Sequence, residues 1–492
     1  PGNVGYYGGV IKICLDFQSA QEIGKRQKIL YSEVVMGTQK KYLSLTKKLA
    51  YGTGDLGSNF FYMMITSFAL IYMTDAVGLN PGITGTLIMA SKLLDGITDV
   101  FFGSLIDRTH SKMGKARPWM FYSGFPLAVS LILIFAIPSS MASVGQYIWF
   151  FLFYTCANAL FYTANNIAYA TMSALITKND AERVSLGTFR YVFAVVASMI
   201  VMSVTVAAVG ALGGGMTGWR TVAVIYAVIF LIFNSLASLT CKEVADDWEE
   251  ADSKGKASSD EKVSFLTMLK YVFTNKYYLI LVMIYLLLYI NTGLSSSISV
   301  YYFTYILGDA SLMGVTSLAS FVMIVGLMFN PALVKKFGMY KVNLVSYIVT
   351  SVFSLVMVFF AYSANFMGIV GTTFLRSIFM AFLMGSLNAV VAEVARNNWL
   401  KNKVHTEGMM FSCSSIGMKV GGGLGAAVSG WILSVAGYVG TAMEQTAAVK
   451  NAIKFTFAGL PLILTVLITV CLFFMKVDRE NEKLAGAEEA IG

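Results

Sequence analysis

Apolar stretches of roughly 20 or more residues, each long enough to cross a bilayer as a helix, recur along this chain with little between them. Twelve can be drawn, at 54–76, 83–107, 118–138, 145–176, 184–212, 219–240, 272–304, 311–332, 341–362, 366–394, 408–436 and 449–475. In hydrocarbon a backbone must satisfy its own hydrogen bonds, and unbroken apolar runs of this length do so as helices. Only 13% of the 492 residues are charged, about half the share of a soluble domain. The chain therefore reads as an all-α membrane protein with twelve transmembrane helices, embedded in a lipid bilayer rather than built from soluble domains.

The connections between these runs alternate in charge. Those at 76–83, 138–145, 304–311 and 362–366 hold no Lys or Arg. The 107–118 loop holds Arg108, Lys112, Lys115 and Arg117, the 176–184 loop Lys178 and Arg183, and Lys335, Lys336, Lys341, Arg396, Lys401 and Lys403 mark later ones. Positive charge collects on cytoplasmic loops, so both termini and the long polar segment in mid-chain are expected in the cytoplasm, with the protein multi-pass in the cytoplasmic (inner) membrane. The same bias accounts for the net charge of +9 without nucleic acid. The polar segment divides the spans six and six. The expected domains are an N-terminal extension (1–48, with 1–35 read as non-native), a six-helix bundle (49–240), a linker (241–271), a second six-helix bundle (272–476) and a tail (477–492). A faint echo between Gly103–Lys115 and Asn330–Gly338 suggests duplication. Two such halves with substrate between them is a transporter architecture. The five cysteines are scattered, with no CxxC pair, so no disulfide framework or zinc site is indicated.

Within the second run stand Asp95 and Asp99, four residues apart and hence on one helix face. A carboxylate at the bilayer centre costs about 2.5–3.5 kcal/mol and usually marks an ion path. Two together call for a cation, a proton or a basic side chain, and a purely structural salt bridge with Lys92 or Lys419 is the plainer alternative. Asp95, Asp99, Thr98 and Thr163 could supply the oxygens of a Na⁺ site, whereas H⁺ needs one carboxylate of raised affinity. Lys419, deep in a Gly-rich run, reads as charge partner of the aspartates, against snorkelling. Asn59, Tyr62 and Asn166 offer the paired donors and acceptors and the aromatic faces that sugars use, against amides that satisfy one another. Asn291 interrupts the seventh run and could line the substrate cavity from the other half. Arg190 and Arg376 could pair a substrate carboxylate or close structural pairs. Asp107, Arg108, Lys115, Arg183 and Glu407, near the charged loops, read as gating residues.

The motifs Tyr51-Gly52-Thr53-Gly54-Asp55, Tyr72-Met73-Thr74-Asp75-Ala76-Val77-Gly78-Leu79, Asp95-Gly96-Ile97-Thr98-Asp99, Gly114-Lys115-Ala116-Arg117-Pro118-Trp119 and His405-Thr406-Glu407-Gly408, in this order and spacing, resemble the major facilitator superfamily. More closely, they resemble its glycoside–pentoside–hexuronide:cation symporters, which include the melibiose and glucuronide carriers. The resemblance runs from about Leu49 to Lys476. It implies two pseudo-symmetric six-helix bundles and alternating access. It gives Asp95 and Asp99 the cation site, with Thr163 at the position of a contributing hydroxyl and Lys419 at that of a lysine beside the site. Asn59 and Asn166 replace two aspartates of the melibiose carrier, and Ala170 replaces a tryptophan. These changes point away from an α-galactoside and toward glucuronides or xylosides. Losing two acids also tilts the coupling cation toward H⁺, with Na⁺ at Asp95 and Asp99 the alternative.

The expected function is thus secondary active import of a sugar or glycoside by symport with H⁺ or Na⁺, by a monomer without a cofactor. Export of a drug or lipid, or a non-transporting sensor, are the alternatives. An enzyme is not expected: there is no HExxH, no GxSxG with partners and no P-loop, and the two histidines, His110 and His405, both lie near polar loops.

Overall fold

The computed structural model describes residues 42–177, 179–243, 274–402, 417–442 and 444–489. Its helices are α1 (Leu45–Ser67), α2 (Pro81–Asp107), α3 (Arg117–Ile134), α4 (Ser143–Thr155, continued through a π turn to Thr163–Leu175), α5 (Asp180–Ala211) and α6 (Gly215–Thr240) in the first half. The second half has α7 (Lys276–Tyr305), α8 (Ala319–Phe337), α9 (Met339–Tyr362), α10 (Phe366–Asn402), α11 (Gly422–Val435, led by the π turn Gly417–Gly421) and α12 (Leu460–Phe474). A polar helix, α13 (Val477–Glu489), follows. No strand occurs among the described residues.

Capping and turn chemistry punctuate the chain where the apolar runs stop. Ser44 and Asn275 accept backbone N–H groups at the starts of α1 and α7, satisfying donors that a first turn leaves open. Gly338, at φ 83°, makes the tight link from α8 to α9 that a side chain would strain. Among the described residues ten helices are long and apolar enough to cross a membrane, or eleven if α1 and its continuation Ala69–Ala76, bent by 47°, form one span. The expected twelfth, α2, has 27 residues but is not apolar enough to count by composition, because Lys92, Asp95 and Asp99 interrupt it.

The helix pairs repeat between halves. α1 packs on α5 and α6, α3 on α4 and α6, and α2 on α4. Correspondingly, α7 packs on α11 and α12, α9 on α10 and α12, and α8 on α10. Between the halves α2 meets α11, and the equivalent pair, α5 with the turn leading into α8, also meets, while α1 meets α7. This is the contact pattern of two similar six-helix bundles related by a pseudo-two-fold axis.

The apolar core is not uniform along that axis. Toward the lysine-poor connections one continuous core joins both halves, with Phe68, Tyr72, Leu294, Tyr301, Leu433 and Tyr438 among its members. Toward the lysine-rich connections each half keeps its own core, around Tyr51, Met120 and Tyr169 in the first and around Tyr278, Leu383 and Leu472 in the second. The halves are therefore joined at one end and separately packed at the other, with the site between.

Candidate functional site

Asp95 and Asp99 project from one face of α2 toward α11. Glycine makes the approach close: a Cβ on Gly423 would stand 2.9 Å from Lys92 Cβ, and one on Gly85 3.0 Å from Ala427 Cα. The π turn Gly417–Gly421 is equally close to α7, where a Cβ on Gly421 would lie 2.8 Å from the Leu286 carbonyl oxygen. This wedged turn carries Lys419. π turns interrupt the helical ladder and recur at functional sites, and a second one, Cys156–Tyr162, ends beside Thr163.

The Lys419 ammonium sits between the two acids. It lies 2.9 Å from Asp95 Oδ1 and 2.6 Å from Asp99 Oδ1, and it donates to the Asp95 carbonyl oxygen at 2.9 Å. These contacts use all three donors of a lysine. Thr163 donates to Asp95 Oδ1 at 2.5 Å and also lies 3.1 Å from the Asn158 carbonyl oxygen. Asp95 is 7% exposed, while the Asp99 side chain is 32% exposed. Both acids are held by Lys419 and line the cavity, Asp95 the more deeply buried of the two.

That cavity encloses about 410 Å³ between the halves. Asp95, Asp99, Thr163 and Lys419 line one side, and Tyr62, Asn166, Lys92, Tyr154, Tyr162 and Tyr289 are among the rest. Tyr62 stacks on Tyr162 with centroids 5.5 Å apart. The Lys92 ammonium stands 5.3 Å from the Tyr62 ring centroid and donates to Asn158 Oδ1 at 2.7 Å. Aromatic faces next to amides, hydroxyls and ammonium groups suit a polyhydroxylated ligand with an apolar ring face.

Of the sequence-derived candidates, Asp95, Asp99, Thr163, Lys419, Tyr62 and Asn166 come together here. Thr98 does not line the cavity; its hydroxyl donates to the Asp95 carbonyl of its own helix at 3.0 Å. Asn59 also stays out, its amide donating to the Asp55 carbonyl one turn earlier at 2.8 Å. Arg190 is engaged within the first half. Its Nε meets Asp55 Oδ2 at 2.6 Å, and its guanidinium lies 4.3 Å from the Tyr169 ring centroid. Asn291 and Arg376 line a second cavity of about 380 Å³. Lys92 is not the ion-pair partner of the aspartates that a sequence view allowed; its polar contact is Asn158.

The gating candidates divide. Asp107 closes α2, Arg108 is exposed, and Glu407 lies outside the described residues. The backbone N–H groups of Lys115, Ala116 and Arg117 donate to the Glu243 carboxylate at 2.8–2.9 Å. The Arg117 side chain donates to the Ser238 and Leu239 carbonyls. The loop is thus bound to the end of α6 in its own half. Arg183 donates to the Thr177 carbonyl at 3.3 Å. Beside it, Glu182 accepts from Thr177 Oγ1 and from the backbone of Tyr42 and Leu43. Sequence reading missed Glu182, Glu243 and Asp55, acids whose partners, Thr177 apart, lie more than 120 residues away.

It also missed a clasp at the lysine-poor end. Asp75, past the bend after α1, accepts from Tyr305 and Tyr438 at 2.5 Å each, and Thr74 meets Tyr301 at 2.9 Å. The motif around Asp75 was visible in sequence, but its tyrosine partners in the other half were not.

A family model described as MFS/sugar transport protein matches residues 50–479. The chain belongs to this family. Among curated relatives, the isoprimeverose transporter of Lactiplantibacillus pentosus is 28% identical over 455 residues, covering 92% of each chain. The putative glycoside/cation symporter YagG of Escherichia coli (strain K12) is 24% identical, covering 86% of this chain and 90% of its own. A solved D-xylose-proton symporter superposes with a TM-score of 0.60 at 12% identity, covering 87% of this chain and 96% of that one. The nucleoside transporter NupG gives 0.61 at 14%, covering 87% and 99%. These solved structures share the fold of this MFS protein.

Proposed function

We infer that this MFS protein is a secondary active transporter that imports a sugar or glycoside in symport with a cation through alternating access. One observation carries the reading. Lys419, on the second half, spans two acids on the first, so the site that would take a cation also joins the parts that must move apart. A cation that neutralises Asp95 and Asp99 weakens this link and changes the energy of separating the halves. A ligand that shifts a conformational equilibrium must interact differently with its two states, and this arrangement supplies such a difference. The relatives named for isoprimeverose and for glycoside/cation symport support the same reading.

The coupling ion we favour is H⁺. The Thr163 hydroxyl has one proton and two nearby acceptors, Asp95 Oδ1 and the Asn158 carbonyl. A proton on Asp95 would let that acid donate to Thr163 and Thr163 donate to Asn158. Na⁺ is the second reading, favoured by the three convergent oxygens of Asp95, Asp99 and Thr163, and it would have to take the place of the Lys419 ammonium. The fused core and the Asp75 clasp at the lysine-poor end support a state closed to the outside, with the lysine-rich ends and both termini in the cytoplasm.

The test is uptake into proteoliposomes of xylosides, glucuronides, galactosides and free pentoses under H⁺ and Na⁺ gradients imposed separately. Asp99→Asn is expected to abolish gradient-driven accumulation while substrate exchange persists. Accumulation by this variant at the wild-type level would overturn the assignment.

A further inference from the structure

The second cavity, about 380 Å³, contains a cation that has no counter-ion among the described residues. Arg376, on α10, lines it and is 8% exposed. Among the described residues its guanidinium meets no carboxylate. Its contact is the Met357 sulfur, 2.7 Å from Nη1, and its buried Nε has no hydrogen-bond partner. A thioether is a weak acceptor for a group with five N–H donors. A buried charge is costly unless paired, so an unpaired guanidinium facing an open space implies a missing anion.

The other lining groups say what surrounds that anion. Ser299, Thr316, Ser317 and Ser377 donate their hydroxyl protons to carbonyls of their own helical segments. They therefore face the cavity as acceptors, and the buried Asn291 Oδ1 is another acceptor without a donor. Acceptors suit the hydroxyls of a sugar, while the hydroxyls of Ser295, Ser296, Ser320 and Thr373, which also line this cavity, can donate to an anion beside Arg376. The strong donor here is Arg376, the only charged residue among the described residues that line this cavity. A single guanidinium balances one negative charge, which fits a carboxylate or sulfonate better than a phosphate dianion. The two cavities meet: Thr292 and Ser296, on α7, line both.

We propose that the transported sugar carries a monoanionic oxyanion group, a carboxylate or a sulfonate, and that Arg376 holds this group in the second cavity while the ring occupies the first. The proposal rests on the sugar-import reading above and names the substrate class for it. The planar guanidinium fork can pair a carboxylate through two parallel hydrogen bonds, and the acidic group would thereby tie substrate to the second half.

The experiment uses the full chain in proteoliposomes. The probes are matched methyl glycosides in gluco and galacto configuration, neutral or bearing a 6-carboxylate or 6-sulfonate. At least one charged member is expected to show a half-saturation at least tenfold below that of its neutral counterpart. Arg376→Gln is expected to raise that value by roughly ten- to a hundredfold, the range for a lost charge-assisted hydrogen bond, while the neutral member shifts less than threefold. Binding of the neutral member also reports that the variant is folded. Should Arg376→Gln not fold, Arg376→Lys keeps the charge and loses the fork, and is expected to weaken the carboxylate probe more than the neutral one. Uptake of a neutral member with no preference for its charged partners, or a preference that survives these substitutions, overturns this proposal and leaves sugar import standing. Failure of every probe, neutral and charged, together with the xylosides and free pentoses of the uptake panel above, overturns both.

Discussion

Replacing Lys419 by Gln is the most direct test of the link between the halves. The substitution removes an ammonium 2.9 Å from Asp95 and 2.6 Å from Asp99. At an effective dielectric constant of about 20, each contact corresponds to about 6 kcal/mol of Coulomb attraction before desolvation is subtracted. Removing one partner of such a buried cluster has a net cost of about 3–5 kcal/mol, because the acids are left on a face 14% exposed or less at Lys419 and Asp95. For a chain of this size that is a shift of a few degrees in apparent Tm. The loss should be smaller when Asp99→Asn is made in the same chain, since fewer uncompensated charges remain. Groups in contact couple by about 0.5–3 kcal/mol, and the direct 2.6 Å contact between Lys419 and Asp99 places this pair within that range. The assay is thermal unfolding of the purified protein in detergent for wild type, both single variants and the double variant. Simple additivity of the two single effects, or a Lys419→Gln variant as stable as wild type, would refute the reasoning.

Two other expectations follow from contacts away from the cavity. Tyr305→Phe removes one hydrogen bond to Asp75, and a bond to a charged group is worth about 1.5–3 kcal/mol. Alkylation of a cysteine placed at Thr66, by an impermeant reagent added at the lysine-poor side, should therefore accelerate roughly tenfold or more; an unchanged rate would remove Asp75 from any role in closing that end. Burial pushes the Glu182 carboxyl up, but hydrogen bonds from Thr177, Leu43 and Tyr42 and the nearby Lys48 outweigh it and hold it below the usual glutamate value. A depressed folded-state pKa gives stability that is present at neutral pH and lost as pH falls through that value. Wild type should be more stable than Glu182→Gln at pH 7, and the gap should close on acidification; a gap independent of pH would count against the carboxylate.

Much of the candidate site was legible because it depends on local spacing. Asp95 and Asp99 share a face in any helix, and their cost in a membrane signals a partner whatever the fold. Lys419 and Thr163 were accessible through the resemblance, which relates positions more than 250 and more than 60 residues away from Asp95. Residues with equally plausible polarity went elsewhere. Asn59 and Thr98 spend their donors on their own helix, one turn back, which helical periodicity does not reveal. Arg190 is balanced by Asp55, from a motif whose acid had been given no role.

The chain alone therefore determined the class of object: apolar runs long enough to be helices, charges placed on alternate connections, two acids whose spacing puts them side by side. These follow from backbone geometry and from the cost of charge in hydrocarbon, and they are the same in every packing of the helices. The tertiary structure decided which charges are paid for. It brought Tyr305 and Tyr438 to Asp75 across more than 200 residues, seated Lys419 between two carboxylates, and left Arg376 beside a cavity with no acid among the described residues to meet it. Whether a buried charge is balanced depends on what the facing helix presents, and helix-to-helix register is set by close packing at residues such as Gly85, Gly421 and Gly423, which no single span specifies.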